Sequence, residues 1–368
     1  MPDIDRVSSQ LPSASHKRPK IHADFKLKMK SLCPLILALS AAAEYSGTVL
    51  YQSPTNLWLE NIAARANSHL LITSAESPTL YTVDPRAQSV TLNEVFTFPN
   101  ATALMGITEY KPDVFAVVVS NLTLGPPREA LGTVVIWSVA FDAKTGAISA
   151  SPAVSVPLLP NSNTAAPQNA ICINGISPLS STVILGAESV SGAIYAFDMA
   201  SGSVTSVASS PQWIATTNAS APVQLGINGL KYHDGYAYWS AGVEELFGRV
   251  RVSLGHHHTI EAGVVEVLAP IDNPYTVAGQ SADDLAFDRA GRVWMAVHPS
   301  EIVLFERAAN GSLVQHTAAG DASGIDLTTF NGPSAVAFGR GEEQEEILYV
   351  TTKTGQLIAV DTTGSTYE

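Results

Sequence analysis

From Gly47 onward, short apolar runs alternate with clusters of Gly, Pro, Asp, Asn and Ser, and almost nothing shows the spacing of a long amphipathic helix. The clearest stretch is residues 281–296, Ser-Ala-Asp-Asp-Leu-Ala-Phe-Asp-Arg-Ala-Gly-Arg-Val-Trp-Met-Ala. Asp283 and Asp284 stand just before the apolar run Leu285-Ala286-Phe287. Asp288-Arg289-Ala290-Gly291 supplies turn chemistry, and Arg292-Val-Trp-Met-Ala-Val297 returns as a β-rich strand. The pattern predicts a polar tip, a strand, a turn and a second strand.

Six segments carry this phrase, starting at residues 61, 106, 174, 228, 283 and 332, with intervals of 45, 68, 54, 55 and 49. Repeats of about 40–50 residues with several strands each predict an all-β fold, a six-bladed β-propeller with insertions in the longer units. Closing such blades into a ring leaves no large sheet face exposed. Thr48-Val-Leu-Tyr-Gln52 is a strand without a unit of its own, so it is expected to be the outer strand of the last blade.

Residues at the start of the innermost strands converge on the central channel. Here they are Glu60 or Asn61, Asn174, Asn228, and Asp283 or Asp284. Carboxylates with carboxamide oxygens form a hard-oxygen set suited to Ca²⁺ or Mg²⁺. The same residues also serve as a purely structural polar plug, and the Asn-Gly pairs at 174 and 228 taken singly are turn residues.

Composition narrows the partners. The chain has 368 residues, 46% hydrophobic, which is ample for a large core. Its formal charge is −13, and residues 1–43 hold seven basic and three acidic residues, so the remainder carries 13 basic against 30 acidic. Such a body repels phosphate backbones and anionic lipid, and no basic stripe with interleaved aromatics offsets it, so nucleic acid is excluded as a partner.

Lys26-Leu-Lys-Met-Lys30, the apolar run 32–39 and the small residues Ser40-Ala-Ala-Ala43 have the order of a secretory signal. The apolar run is too short to span a bilayer core of roughly 30 Å, so no stable membrane span is expected. The expected division is residues 1–43 as signal with an extended N-terminal region, and 44–368 as one propeller domain. A start at Met29 instead of Met1 leaves a more typical signal. Sequons at Asn100, Asn121, Asn218 and Asn310 are compatible with secretion or an endomembrane lumen. With cleavage after Ala43, Cys172 is the remaining cysteine and no intrachain disulfide forms. His256-His257-His258 lies in a flexible loop without fixed convergent geometry and suits solvent better than a metal. Ser281 lacks a nucleophile-elbow setting, and the His-Glu-x-x-His and Cys-x-x-Cys motifs are absent.

The phrases Glu60-Asn-Ile-Ala, Asp113-Val-Phe-Ala-Val, Asn174-Gly-Ile, Ile227-Asn-Gly-Leu-Lys, Leu246-Phe-Gly-Arg-Val and Gly332-Pro-Ser-Ala-Val-Ala-Phe-Gly-Arg340 carry a resemblance. The chain resembles the senescence-marker-protein, gluconolactonase and paraoxonase superfamily of six-bladed propellers, and within it a fungal secreted branch. The resemblance implies a central divalent cation, possible as Ca²⁺ or Mg²⁺, on Glu60, Asn174, Asn228 and Asp284, with Asp283 as the alternative. One departure matters. Paraoxonase-like lactonases place a water-activating His before a Gly-Ile pair, and this chain has Met105 before Gly106-Ile107. A thioether is no general base. The fungal branch resembles hetero-Diels–Alderases that join a tropolone-derived o-quinone methide to a humulene-type terpene. That resemblance implies small hydrophobic substrates, no cofactor requirement, and an apolar pocket drawing on Tyr110, Tyr232, Trp239, Phe247 and His298, with Trp58 and Trp294 near the rim. A metal-dependent lactonase and a non-catalytic ligand-binding propeller are the alternatives. The oligomeric state is left open.

Overall fold

The turn after Phe287 shows how the sequence builds its hairpins. The Asp288 carboxylate accepts the Ala290 and Arg292 N–H groups, both at 2.9 Å, and Gly291 closes the turn at φ +79°. Asp198 repeats the device on Ala200 and Ser201, at 2.8 and 3.1 Å, with Gly202 at φ +74°. Only glycine adopts that conformation without a steric penalty.

A computed structural model describes residues 45–124, 128–157, 159, 171–215, 225–242, 244–255, 259–272, 282–321 and 326–363. The N-terminal segment, Asn218, the His256–His258 run and Ser281 lie outside the described residues.

The strands form six four-stranded antiparallel sheets, the blades of a propeller. Their inner strands are Leu59–Ala64, Ala103–Lys111, Ile173–Pro178, Ile227–His233, Ala282–Phe287 and Pro333–Phe338, which we number as blades 1 to 6. Each inner strand packs beside the next, and the sixth returns to the first, so the ring is closed. Blade 2 carries an extra hairpin, Leu122–Thr123 with Arg128–Glu129, between its second and third strands. Gly47–Gln52 pairs with Gln356–Asp361 as the outer strand of blade 6, as the sequence predicts, with Gly47 opposite Val360 and Gln52 opposite Gln356.

The core is six wedges, one between each pair of neighbouring blades. Both faces of a strand therefore feed apolar packing. In Glu301–Arg307, Ile302 and Leu304 join the wedge with blade 6, whereas Val303 and Phe305 join the wedge with blade 4. This is why the middle strands read as unbroken apolar runs instead of alternating ones.

The centre is built differently. Besides a slip at Glu109/Lys111 in blade 2, the ladder of every inner strand slips in its first half, at Leu59/Ile62, Leu104/Ile107, Ile173/Ile176, Ile227/Leu230, Ala282/Leu285 and Pro333/Ala335. Each slip is a β-bulge that frees its residues from strict alternation. The freed residues are Glu60-Asn61, Met105-Gly106, Asn174-Gly175, Asn228-Gly229, Asp283-Asp284 and Ser334. The Asn-Gly pairs are thus inner-strand bulges, not turns. A Cβ at Gly106, Gly175 or Gly229 would fall 2.3, 2.7 or 2.7 Å from the carbonyl oxygen of Asn174, Asn228 or Asp283 in the next blade. Glycine lets adjacent bulges touch backbone to backbone. Ser240 adds a strap, accepting from Gly229 N–H at 2.8 Å and donating to the Asp283 carbonyl at 2.7 Å.

Candidate functional site

The bulges bring Glu60, Asn174, Asn228 and Asp283 to the channel, all buried. Asp284 is buried too, but its oxygens are already engaged. Oδ2 accepts from Lys231 Nζ at 2.6 Å and Asn61 Nδ2 at 3.2 Å, and Oδ1 from Leu285 N–H at 2.9 Å. Of the two aspartates, Asp283 is the one left to complete the Glu60–Asn174–Asn228 set. Asp284 belongs instead to an internal ion pair with Lys231, a residue that sequence reasoning missed.

Burial sets the protonation of this centre. It pushes the Glu60 and Asp283 carboxyls well above the usual carboxylate range; the Asp283 charge raises Glu60 further, and the Asp284 charge raises Asp283. His298 Nε2 lies 3.4 Å from Asp283 Oδ2, and the ring donates to the Pro333 carbonyl. Burial, helped by the Lys353 charge, holds His298 down to about 3. Burial thus disfavours the charged form of both Asp283 and His298, against the attraction an ion pair across 3.4 Å would supply.

Two buried oxygens here have no hydrogen-bond partner, Glu60 Oε2 and Asn228 Oδ1. Free acceptor oxygens of this kind fit a hard divalent cation. Among the described residues, no three His, Cys, Asp or Glu side chains gather closely enough to hold a metal by themselves, so such a site would need the carboxamides of Asn174 and Asn228. The Trp58 indole N–H also lacks a partner; it leans towards Glu60 and lowers its pKa without reaching bonding geometry.

The inner strands all start at one end of the channel, and the second-to-third strand connections return there. That end is apolar. Trp58, Leu122, Leu124, Leu159, Ile214 and Leu225 are partly buried against the cluster containing Met105 and Cys172. The blade 2 hairpin reaches across this end to blade 3. Glu129 N–H donates to the Ile171 carbonyl at 2.9 Å, and Glu129 Oε2 accepts from Ile173 N–H at 2.8 Å. Burial pushes the Glu129 carboxyl up to about 8, and its Oε1 has no partner.

The expected aromatic pocket is not assembled as the sequence suggested. Trp239 is fully buried between blades 3 and 4, edge-on to Trp213 at 5.3 Å. Tyr232 flanks the same wedge, its hydroxyl on the Val252 carbonyl at 3.0 Å. Phe247 stacks on Phe305 at 4.9 Å between blades 4 and 5, beside a side cavity of 340 Å³. Tyr110 lies near the far end of its strand, bonded to Ser138 Oγ at 2.7 Å, and lines a separate 840 Å³ cleft. That cleft is edged by Arg65, paired with Asp113 at 2.6 Å, and by Arg340, paired with Glu109. The reason is general: an aromatic residue in a propeller strand finds most of its apolar surroundings in a wedge, not in the channel. Of the five, only His298 stands beside the polar centre.

No family model matches the chain. A Phoma sp protein named "Putative hetero-Diels-Alderase" is 27% identical over 337 residues, covering 85% of this chain and 87% of that protein. A Sarocladium schorii protein of the same description is 24% identical over 355 residues, covering 86% and 83%. The chain is similar to hetero-Diels–Alderases along most of its length. Among solved structures, the major allergen Mala s 1 of Malassezia sympodialis matches with TM-score 0.57 at 14% identity, covering 89% of this chain and 99% of that one. A gluconolactonase of Xanthomonas campestris matches with TM-score 0.50 at 12% identity, covering 88% and 91%. These two share the propeller architecture.

Proposed function

We propose that this protein is a pericyclase of the hetero-Diels–Alderase type, acting on two small apolar partners at the channel mouth. The observation that carries the reading is a rim of apolar side chains set over a buried polar floor whose Glu60 and Asp283 carboxyls burial pushes above the usual carboxylate range. Similarity to the two named relatives supports the reaction class. The substrate pair that suits this site is a tropolone-type o-quinone methide and a terpene alkene such as humulene.

The reaction forms two bonds together. The methylene carbon of the quinone methide bonds to one alkene carbon and its oxygen to the other, giving a dihydropyran with no proton or electron left over. Such chemistry asks for positioning, which lowers the barrier by several kcal/mol, and for a donor at the oxygen that gains charge. Trp58 and the rim leucines would hold the hydrocarbon, and the polar floor would receive the oxygenated partner. Met105 supplies no base, and none is needed. The test is to generate the quinone methide in the presence of humulene with and without the protein. An adduct formed faster and as one stereoisomer is expected, with Trp58→Ala losing about tenfold or more in rate. An unchanged rate and product ratio would remove the reading.

The partnerless oxygens of Glu60 and Asn228 favour a second reading, a divalent-metal lactonase. Glu60, Asn174, Asn228 and Asp283 would hold Ca²⁺ or Mg²⁺, which when bound would polarise a carbonyl oxygen. Cycloaddition that survives EDTA, without lactone cleavage, separates the two. We also propose that the chain is exported. Asn100 and Asn310 are exposed in turns and accessible to glycosylation, whereas Asn121 is half-buried. A mass loss on glycosidase treatment of protein from a secreting host is expected.

A further inference from the structure

The rim connections of blades 5 and 6 hold equivalent positions. His298 follows the second strand Val293–Val297, and Lys353 follows Ile347–Thr352. Backbone bonds tie these connections together: Gly332 N–H donates to the Pro299 carbonyl at 2.7 Å, and Lys353 N–H to the Gly332 carbonyl at 2.8 Å. Gly332 has φ +66°, and a Cβ there would fall 2.3–2.5 Å from three carbons of the Lys353 stem. The lysine stem thus fills the space of the missing side chain.

Blade 6 otherwise offers the channel little. Its bulge residue Ser334 is turned to the Leu59 carbonyl of blade 1. Among the described residues, the half-buried Lys353 has no carboxylate within ion-pair distance, unlike Lys231. Its charge nevertheless bears on both Asp283 and His298, lowering each.

We infer that Lys353 is the substrate-oxygen donor of this site, an ammonium that binds the anionic or carbonyl oxygen of the oxygenated partner beside His298. The inference rests on the pericyclase reading and names the residue that meets the reacting oxygen. An ammonium there stabilises the charge the oxygen gains as the new bonds form, and fixes which way round the heterodiene lies. The ligand class is a planar acidic enone such as a tropolone; the hydrocarbon partner makes no use of Lys353.

The test uses the full chain and two readouts. In titration calorimetry with tropolone, Lys353→Met is expected to bind at least about tenfold more weakly, and Lys353→Arg within about threefold of wild type. In the cycloaddition assay, a similar loss in kcat/KM is expected for Lys353→Met, with rescue by Lys353→Arg, as for loss of one donor to a charge-gaining oxygen. Gly332→Ala keeps the ammonium but displaces its stem and strains the left-handed turn, so it should unfold at a lower temperature and, while folded, bind tropolone as weakly as Lys353→Met. Wild type that binds tropolone but accelerates nothing removes the pericyclase reading and leaves the oxygen site standing. Equal tropolone affinity in wild type and Lys353→Met overturns the inference, whatever the assay shows.

Discussion

Replacing Lys231 by Met will destabilise the protein by about 3–5 kcal/mol, the scale seen when one partner of a buried ion pair is removed. Asp284 has 2% of its side chain exposed, against 23% for Lys231, so the stranded group is the carboxylate. The reverse change is milder. In Asp284→Asn the lysine can turn to water, and the Asn61 and Leu285 contacts can persist through the amide. The double variant Lys231→Met/Asp284→Asn should recover much of the loss. Urea unfolding of the four proteins reads this as a cycle. Additive losses would mean that the 2.6 Å contact carries no coupling.

Glu129 produces the second large effect, and its sign is opposite to that of an ordinary surface carboxylate. Its carboxyl is raised from an ordinary value of 4.5 to about 8 by burial. The folded state therefore holds a proton that the unfolded state releases above pH 4.5. The contribution is complete below that pH and is lost as the pH rises through about 8. Between pH 5 and 8.5 this group alone should remove roughly 3–5 kcal/mol of stability, at 1.36 kcal/mol per unit. Glu129→Gln keeps an acceptor for Ile173 N–H and has no proton to lose. It should match wild type near pH 5 and exceed it near pH 8.5. Glu188 and Glu301 are raised in the same direction, so the variant keeps some slope. Parallel stability curves for the two proteins would show that Glu129 ionises without penalty.

The blade count, the starts of the inner strands and the closing strand were all legible in the sequence, because each depends on repeated local chemistry. A turn aspartate, a left-handed glycine and an apolar run are visible without the fold. The choice between Asp283 and Asp284 was not. It rests on a bulge, and a bulge cancels the alternation by which a strand's faces are told apart. The aromatic assignments failed for a related reason. Trp239 and Phe247 lie in strands buried on both faces, so periodicity gives no sign of channel or wedge. Lys231 had a signal that was passed over, a lysine inside the buried strand Ile227–His233. Lys353 had none. It sits in an ordinary turn, and the neighbours that single it out, Gly332 and Pro299, come beside it only when blade 6 packs on blade 5.

The closing strand also sets an order of events. Gly47–Gln52 is among the first parts of the propeller to be synthesised, and its partner Gln356–Asp361 is the last strand made. The Gln52 side chain bonds to the Thr354 carbonyl across 302 positions of sequence. The other five blades each draw their strands from one continuous stretch and can pair as they emerge. Blade 6 cannot. Until Gln356–Asp361 is made, Gly47–Gln52 is an unpaired strand and the ring an open crescent with an unpacked face at each end. Such edges invite pairing with other chains. Long-range pairing is also the slow kind. The interval before Gln356–Asp361 captures Gly47–Gln52 is thus when this protein is most open to aggregation and most dependent on chaperones.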